Sequence, residues 1–267
     1  MGDLCFAESL GMLEGSDYSP WVKAIFEGVK ASTQLRCLKM LSKFSNYLME
    51  EWVFKSDAVR SKQFEHWNYS KERINRRIAR TPDRPDFWTK ILEKGAPDDP
   101  NSLSLGEHHS TGSVFMMAGT ETTATALSGT TYHLLMNPDK LELLQREIRS
   151  AFTSRDDMDL EKLAKQKYLM AVLQEGMRMY PPVPTLLPRV VPAGGAEICG
   201  EWVPAGTTVG VHHVSTYKDP AYFKKPDEFH PERWLGDPEF KDDKLSAFEP
   251  FSVGPRNCIG KVSFAET

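Results

Sequence analysis

Apolar residues recur at helical spacing through the first two thirds of the chain. Between Ala31 and about Val53 the positions are Leu35, Leu38, Leu41, Phe44, Leu48 and Trp52. Residues 57–80 read as a second helix that ends before Thr81-Pro82. The Pro- and Asp-rich run from Thr81 to Asp86 is a turn, and Ala96 to Pro100 is a second loop. From about Leu105 to Met136 the residues are mostly apolar or small, which predicts one long helix. Its length and low charge predict burial on most sides. Asn137 is placed to cap the next helix, with Pro138 at its first position. That helix carries Leu141, Leu144, Ile148 and Phe152 on one face. A further helix covers about Tyr168 to Met179 and stops at Tyr180-Pro181-Pro182.

After Pro181 the pattern changes. Short β-like runs appear at Leu186 to Val191, Glu197 to Cys199 and Thr207 to Val214, separated by Gly and Pro. From Tyr217 to Pro255 the chain is dense in Pro, Asp, Phe and Trp with little periodicity, and an irregular stretch of that length is usually functional. The opening residues carry Leu4, Phe6 and Leu10 and then a turn at Gly15, Ser16 and Asp17, so they read like the middle of a folded domain. There is no internal repeat.

A length of 267 residues allows one large domain or two small ones. The formal net charge of −4 argues against a dedicated nucleic-acid binder. Residues 60–90 hold nine Lys or Arg against four Asp or Glu, interleaved with Phe64, Trp67 and Tyr69. That stretch reads as a solvated amphipathic helix face. Four cysteines are too few for a disulfide scaffold and suggest a reducing compartment. No apolar run approaches the ~18 residues that span a bilayer, and no signal peptide is visible. The adjacent pairs His108-His109 and His212-His213 point apart on any regular element and do not make a chelate.

The strongest chemical signal is FSVGPRNCIG, Phe251 to Gly260. Cys258 is its one soft anionic ligand, and the residues after it can form a helix whose N-terminus would stabilise a thiolate. Gly254 permits a tight bend that presents the sulfur, and Gly260 lets a flat ligand approach closely. Arg256 is a fixed cation suited to a carboxylate, and Phe251 can shield the sulfur from water. A lone Cys is usually a small buried hydrophobe. Five residues fixed in ten positions reverse that reading, since a chance match has odds on the order of 1 in 10,000. Glu175 and Arg178 are three apart and share a helix face, as an ion pair can. Glu121 and Thr122 put an acid and an alcohol into an apolar helix, where Thr usually bonds its own backbone.

These segments together resemble the cytochrome P450 superfamily. Phe251 to Gly260 is similar to its haem-ligand loop and Glu175-Gly176-Met177-Arg178 to its Glu-x-x-Arg helix. Pro231-Glu232-Arg233-Trp234 is similar to its Pro-Glu-Arg-Phe stretch, with Trp where Phe is commoner. Ala118-Gly119-Thr120-Glu121-Thr122-Thr123 is similar to the oxygen-activation motif of its central helix. WVKAIFEGVK, DFWTKIL, YPPVP and FHPERWLGD resemble fungal members of secondary metabolism.

The resemblance implies a mainly α fold with small β-sheets (α+β), incomplete at both ends. It implies a single partial haem-thiolate domain over 1–267. Residues 1–180 would be mostly helical, 181–257 short strands and long loops, and 258–267 the start of the haem-side helix. It implies haem b with Cys258 as axial ligand to iron. Arg189, Phe251, Gly254, Arg256 and Gly260 would hold the cofactor. Glu175, Arg178 and Arg233 would form a buried network that positions the cysteine loop. Glu121 and Thr122 would deliver protons. Phe115, Ala118, Gly119, Val183 and Leu186 would line a pocket for a lipophilic substrate.

The implied function is a monooxygenase, an oxidoreductase that inserts one oxygen atom from O2 into a lipophilic terpenoid, polyketide or mycotoxin precursor. Electrons would come from NADPH through a cytochrome reductase, with no nucleic acid involved. The family's usual home is the endoplasmic reticulum membrane, and a chain without an anchor would be cytoplasmic or unplaced. The resemblance begins partway into the family's fold and ends nine residues after Cys258. A truncated, non-catalytic remnant is therefore the alternative, with weak stability and poor haem retention expected. An oxygen-independent haem-thiolate isomerase or dehydratase would have no use for the Glu121-Thr122 pair.

Overall fold

The computed structural model describes residues 2–8, 28, 30, 34, 35, 37–39, 41–97 and 99–261. The turn at Gly15, Ser16 and Asp17, part of the helix expected over 31–53, and the helix expected after Lys261 lie outside the described residues. The secondary structure is mainly helical with two small antiparallel sheets, as the sequence implies. The chain divides into two compact units, Met1–Glu121 and Thr122–Thr267.

In the first unit, α1 (Gly2–Phe6), α2 (Lys43–Leu48), α3 (Asp57–Ile78) and α4 (Phe87–Leu92) precede α5 (Leu105–Met136), which runs on past the division. The stripe from Leu35 to Trp52 is not one helix. Ser42 breaks out at φ −165° and caps α2 through a reciprocal pair with Ser45, and α2 passes into a π-helical turn at Met49–Val53. Apolar spacing survived, but a serine able to bond the backbone three residues on offers a competing local structure.

The core of this unit is Cys5, Phe6, Ile74, Trp88 and Met116, with Phe115 packed against it. Burial pushes the Cys5 thiol up to about 11, so it stays a thiol. The basic stretch is not wholly solvated. Arg77 is buried and donates 2.7 Å to Asp86 Oδ1, and Asp86 caps α4 through Thr89 N at 2.8 Å. Arg73 is buried over the Tyr69 ring at 4.9 Å. Arg80 donates to the Phe6 and Ala7 carbonyls, both at 2.8 Å, and so closes the end of α1.

α5 has the expected span, but the expected burial on most sides is not met. Val114, Met117, Leu127, Leu135 and Met136 are exposed. Elsewhere the helix is covered closely: within the first unit Ile74 and Trp88 crowd Gly112, and within the second Tyr180 crowds Gly129 and Gly176 meets Thr130.

In the second unit, α6 (Pro138–Ala151), α7 (Leu160–Leu163) and α8 (Lys167–Met179) follow. Asn137 occupies the cap position of α6 with Pro138 at the first, yet its side chain makes no cap. It donates instead to His133 O at 2.8 Å, because the junction leaves the last carbonyls of α5 in need of a donor. α8 is capped from a distance. Glu147 on α6 accepts from Tyr168 N at 2.8 Å and Leu169 N at 2.9 Å. Gly176 lets α8 meet α5, since a Cβ there would lie 2.1 Å from Thr130 Oγ1.

Beyond Pro181 come β1 (Arg189–Val190), β2 (Ala196–Ile198), β3 (Glu201–Val203) and β4 (Thr208–Val209). β1 pairs with β4, Arg189 opposite Val209, and β2 with β3, Glu197 opposite Trp202. The β2–β3 hairpin turns on Cys199 (φ 53°) and Gly200 (φ 84°), the signature of a two-residue primed turn. The run expected as strand to Val214 stops early, and α9 (His213–Tyr217) takes its end. From there the chain is a series of 3-10 turns, including Pro231–Leu235 and Gly254–Arg256, pinned by buried Phe223, Phe229 and Phe240.

Candidate haem-thiolate site

Glu175 on α8 has both carboxylate oxygens saturated. Oε1 accepts from Arg178 Nη2 at 2.8 Å, His230 N at 2.9 Å and Arg233 Nε at 3.1 Å. Oε2 accepts from Arg178 Nε and Trp234 Nε1, both at 2.9 Å. Glu175 and both arginines have no exposed side-chain surface. Spare donors of Arg178 reach the carbonyls of Tyr217 (2.8 Å), Pro226 (2.7 Å) and Glu228 (3.1 Å). Arg233 also bonds Asp243 and the Lys224 carbonyl, the latter at 3.1 Å. Burial pushes the Glu175 carboxyl up, but the Arg178 hydrogen bonds and the two guanidinium charges outweigh it and hold the group below its ordinary value. The structure thus brings together the three residues expected to form a network, and adds Trp234, Asp243 and five backbone groups.

The expected ligand loop leaves this region through Phe248, whose ring packs 4.8 Å from Trp234 and 5.1 Å from Tyr217 between centroids. Glu249 N donates to Tyr217 Oη at 3.2 Å. Ser252 (φ 59°) and Gly254 (φ 81°) then bend the chain. Cys258 N closes the loop onto Phe251 O at 2.8 Å. Cys258 is exposed, flanked by exposed Val253 and Ile259 (65% and 81%), and Phe251 is half-buried at the loop's base. A Cβ at Gly260 would lie 3.6 Å from the Cys258 sulfur. The sulfur therefore has a bare backbone beside it, an apolar rim and an exposed Arg256 two residues away. An exposed soft donor in such surroundings is of a kind that could hold a haem iron.

The other expected site residues are placed more loosely. Arg189 is exposed on β1 and donates to Pro188 O at 3.0 Å. Val183 and Leu186 are half-buried and held by one segment. His213 Nδ1 pairs with Val183 O at 2.9 Å, and Leu186 bridges to His212. His212 caps α9 at Ser215 N, and buried His213 stacks on Tyr217. His108 and His109 are likewise taken separately, by Trp88 Nε1 at 3.2 Å and Asn75 at 2.7 Å. In the first unit, half-buried Phe115 packs edge-on against Trp88 and Phe87. Ala118 is exposed and Gly119 half-buried. Glu121 and Thr122 are half-buried on α5, and burial raises the Glu121 carboxyl.

The family description "Cytochrome P450" matches residues 1–267. Cytochrome P450 monooxygenase efuB of Hormonema carpetanum is 49% identical over 98% of this chain and 51% of its own length. The trichothecene C-15 hydroxylase of Fusarium sporotrichioides is 39% identical over 100% of the chain and 54% of its own. The chain spans about half the length of the curated relatives it matches. A solved zebrafish cytochrome P450, in a structure with abiraterone, superposes with a TM-score of 0.69 at 26% identity, over 99% of this chain and 56% of that one.

Proposed function

The chain belongs to the cytochrome P450 family, and from that membership we propose that it forms the haem-holding half of a monooxygenase acting on a lipophilic small molecule. The observation that carries the reading is the exposed Cys258 thiol on a closed, glycine-bent loop whose stem packs against a buried ion network. Cys258 would ligate haem iron as the thiolate, with Arg189 and Arg256 on the propionates. A haem held there would supply dioxygen activation, with electrons drawn from NADPH through a reductase.

The chain's own residues do the rest. Glu175, Arg178 and Arg233 hold the stem of the loop. With haem bound, Phe251 at the base of the loop would help shield the sulfur, a contact that tunes a thiolate's electron-donating strength. Glu121, whose carboxyl is raised by burial, would hold a proton on α5, and the Thr122 hydroxyl beside it in sequence would offer a donor and acceptor for proton delivery. Within the second unit, Val183 and Leu186 would offer apolar surface to the substrate. The efuB protein and the trichothecene hydroxylase support a fungal secondary-metabolite substrate. Among the described residues no helix is long and apolar enough to cross a membrane, and the proposed site of action is the family's, the endoplasmic reticulum membrane.

The test is spectroscopic. Reconstituted with hemin, reduced and exposed to carbon monoxide, the chain should show the long-wavelength Soret band of thiolate ligation. Cys258→Ala should abolish that band. A histidine-type or water-type spectrum from the unsubstituted chain would end the proposal.

A further inference from the structure

We propose that Trp234 is a positioning residue for the Cys258 loop, coupling the Glu175 carboxylate to the loop's stem through one rigid side chain. The purpose of this coupling rests on the haem-thiolate reading above, while its geometry does not.

The indole spans two contacts of different kinds. Among the described residues its N–H is one of two donors to Glu175 Oε2, at 2.9 Å. Its ring lies against Phe248 at 4.8 Å. A phenylalanine could fill the same space but has no N–H, and a carboxylate with no exposed surface cannot recruit water in its place. Phe248 also packs against Tyr217, whose backbone carbonyl accepts from Arg178 and whose hydroxyl accepts from Glu249 N. Residues 248 and 249 are therefore held by two residues tied to the same ion network, Trp234 through its indole N–H to Glu175 and Tyr217 through its backbone carbonyl to Arg178. Backbone bonds carry the restraint onward, from Ser252 N to Glu249 O at 3.0 Å and from Cys258 N to Phe251 O at 2.8 Å. The path from carboxylate to thiol is contiguous, and each step on it is a hydrogen bond, a ring contact or a short run of backbone. Tryptophan suits the position because two torsions fix both contacts at once. With that edge bonded, the ring cannot slide, and Phe248 has a fixed wall.

The experiment is amide hydrogen exchange by mass spectrometry on the chain without haem, comparing Trp234→Phe with the unsubstituted protein. Exchange in the peptide covering 248–258 should accelerate about tenfold, the effect of losing one hydrogen bond to a charged group. The peptide covering α5 should not change. Phe248→Leu, which keeps the indole N–H but removes the ring contact, should accelerate the same peptide. With hemin, Trp234→Phe should lose part of the thiolate band that the unsubstituted chain shows. Unchanged exchange at 248–258 in Trp234→Phe overturns the proposal. Equal acceleration in every peptide also overturns it, since it assigns Trp234 to general stability. If the unsubstituted chain itself lacks a thiolate spectrum, the haem reading fails while the exchange result still decides the coupling.

Discussion

Asp86 and Glu175 are both buried carboxylates facing arginine, and they are built for different tasks. Asp86 meets Arg77 nine residues away, caps α4 with the same group, and is finished by Thr89. Everything it needs lies within one turn-helix segment. Glu175 meets Arg178 three residues away, but its remaining donors come from His230, Arg233 and Trp234, up to 59 residues along the chain. The first pair stitches a corner. The second gathers an irregular stretch that has no helix or sheet to hold it. A buried ion pair by itself is weak grounds for stability, because desolvation offsets the attraction. What distinguishes Glu175 is the number of distant backbone segments fastened through its partners.

That comparison can be broken by substitution. Glu175→Gln strands two buried guanidinium groups and should cost about 3–5 kcal/mol, read from the urea midpoint. Asp86→Asn keeps an acceptor for the α4 cap and should cost about 2 kcal/mol, with its exchange effects confined to residues near α3 and α4. A larger loss from Asp86→Asn than from Glu175→Gln would reverse the assignment.

Acid sharpens the same contrast. Both carboxyls are held below their ordinary values, by the Arg77 and Thr89 bonds for Asp86 and by the Arg178 and Arg233 contacts for Glu175, against the opposing effect of burial. Their stabilisation is fully present above the ordinary values of 3.8 and 4.5 and is lost as pH falls through the lower folded values. Unfolding followed by circular dichroism should therefore show stability falling in that acid window, and less steeply in either variant.

Gly254→Ala tests the loop itself. No atom lies within 4 Å of a Cβ built there, so the cost of about 1–2 kcal/mol comes only from the positive φ. It should appear as faster exchange near Cys258. The smallest effect is Glu121→Gln. Its carboxyl is raised by burial, so the ionised form costs stability above its ordinary range. The substitution should raise the melting temperature slightly at neutral pH and leave it unchanged in acid.

The legible parts of the molecule were those whose signals are local. α5 was readable because a run of small and apolar residues ends at Asn137-Pro138, and α8 because Tyr180-Pro181-Pro182 stops it. α9 was not, since Val214 and Thr216 favour a strand and the helix depends on the His212 cap and on buried Tyr217. The strand Glu201–Val203 escaped because three residues with an exposed Trp202 carry no alternation. In the site, Glu175, Arg178 and Arg233 were marked by motif spacing. Asp243 lay in an aperiodic stretch and carried no signal. Trp234 stood out only as a residue where phenylalanine is commoner, and its N–H had no partner until the fold supplied one. The burial of α5 was over-read because apolar composition says a surface wants cover, and says nothing of what covers it.

The split between near and far partners of Glu175 also has a meaning in time. A ribosome emits Glu175 and Arg178 almost together, yet Arg233 follows 58 residues after the carboxylate. At typical elongation rates that interval is on the order of several seconds. Until then the carboxylate has only its near arginine within reach, and the full network seen in the folded chain cannot close before Arg233 has been made.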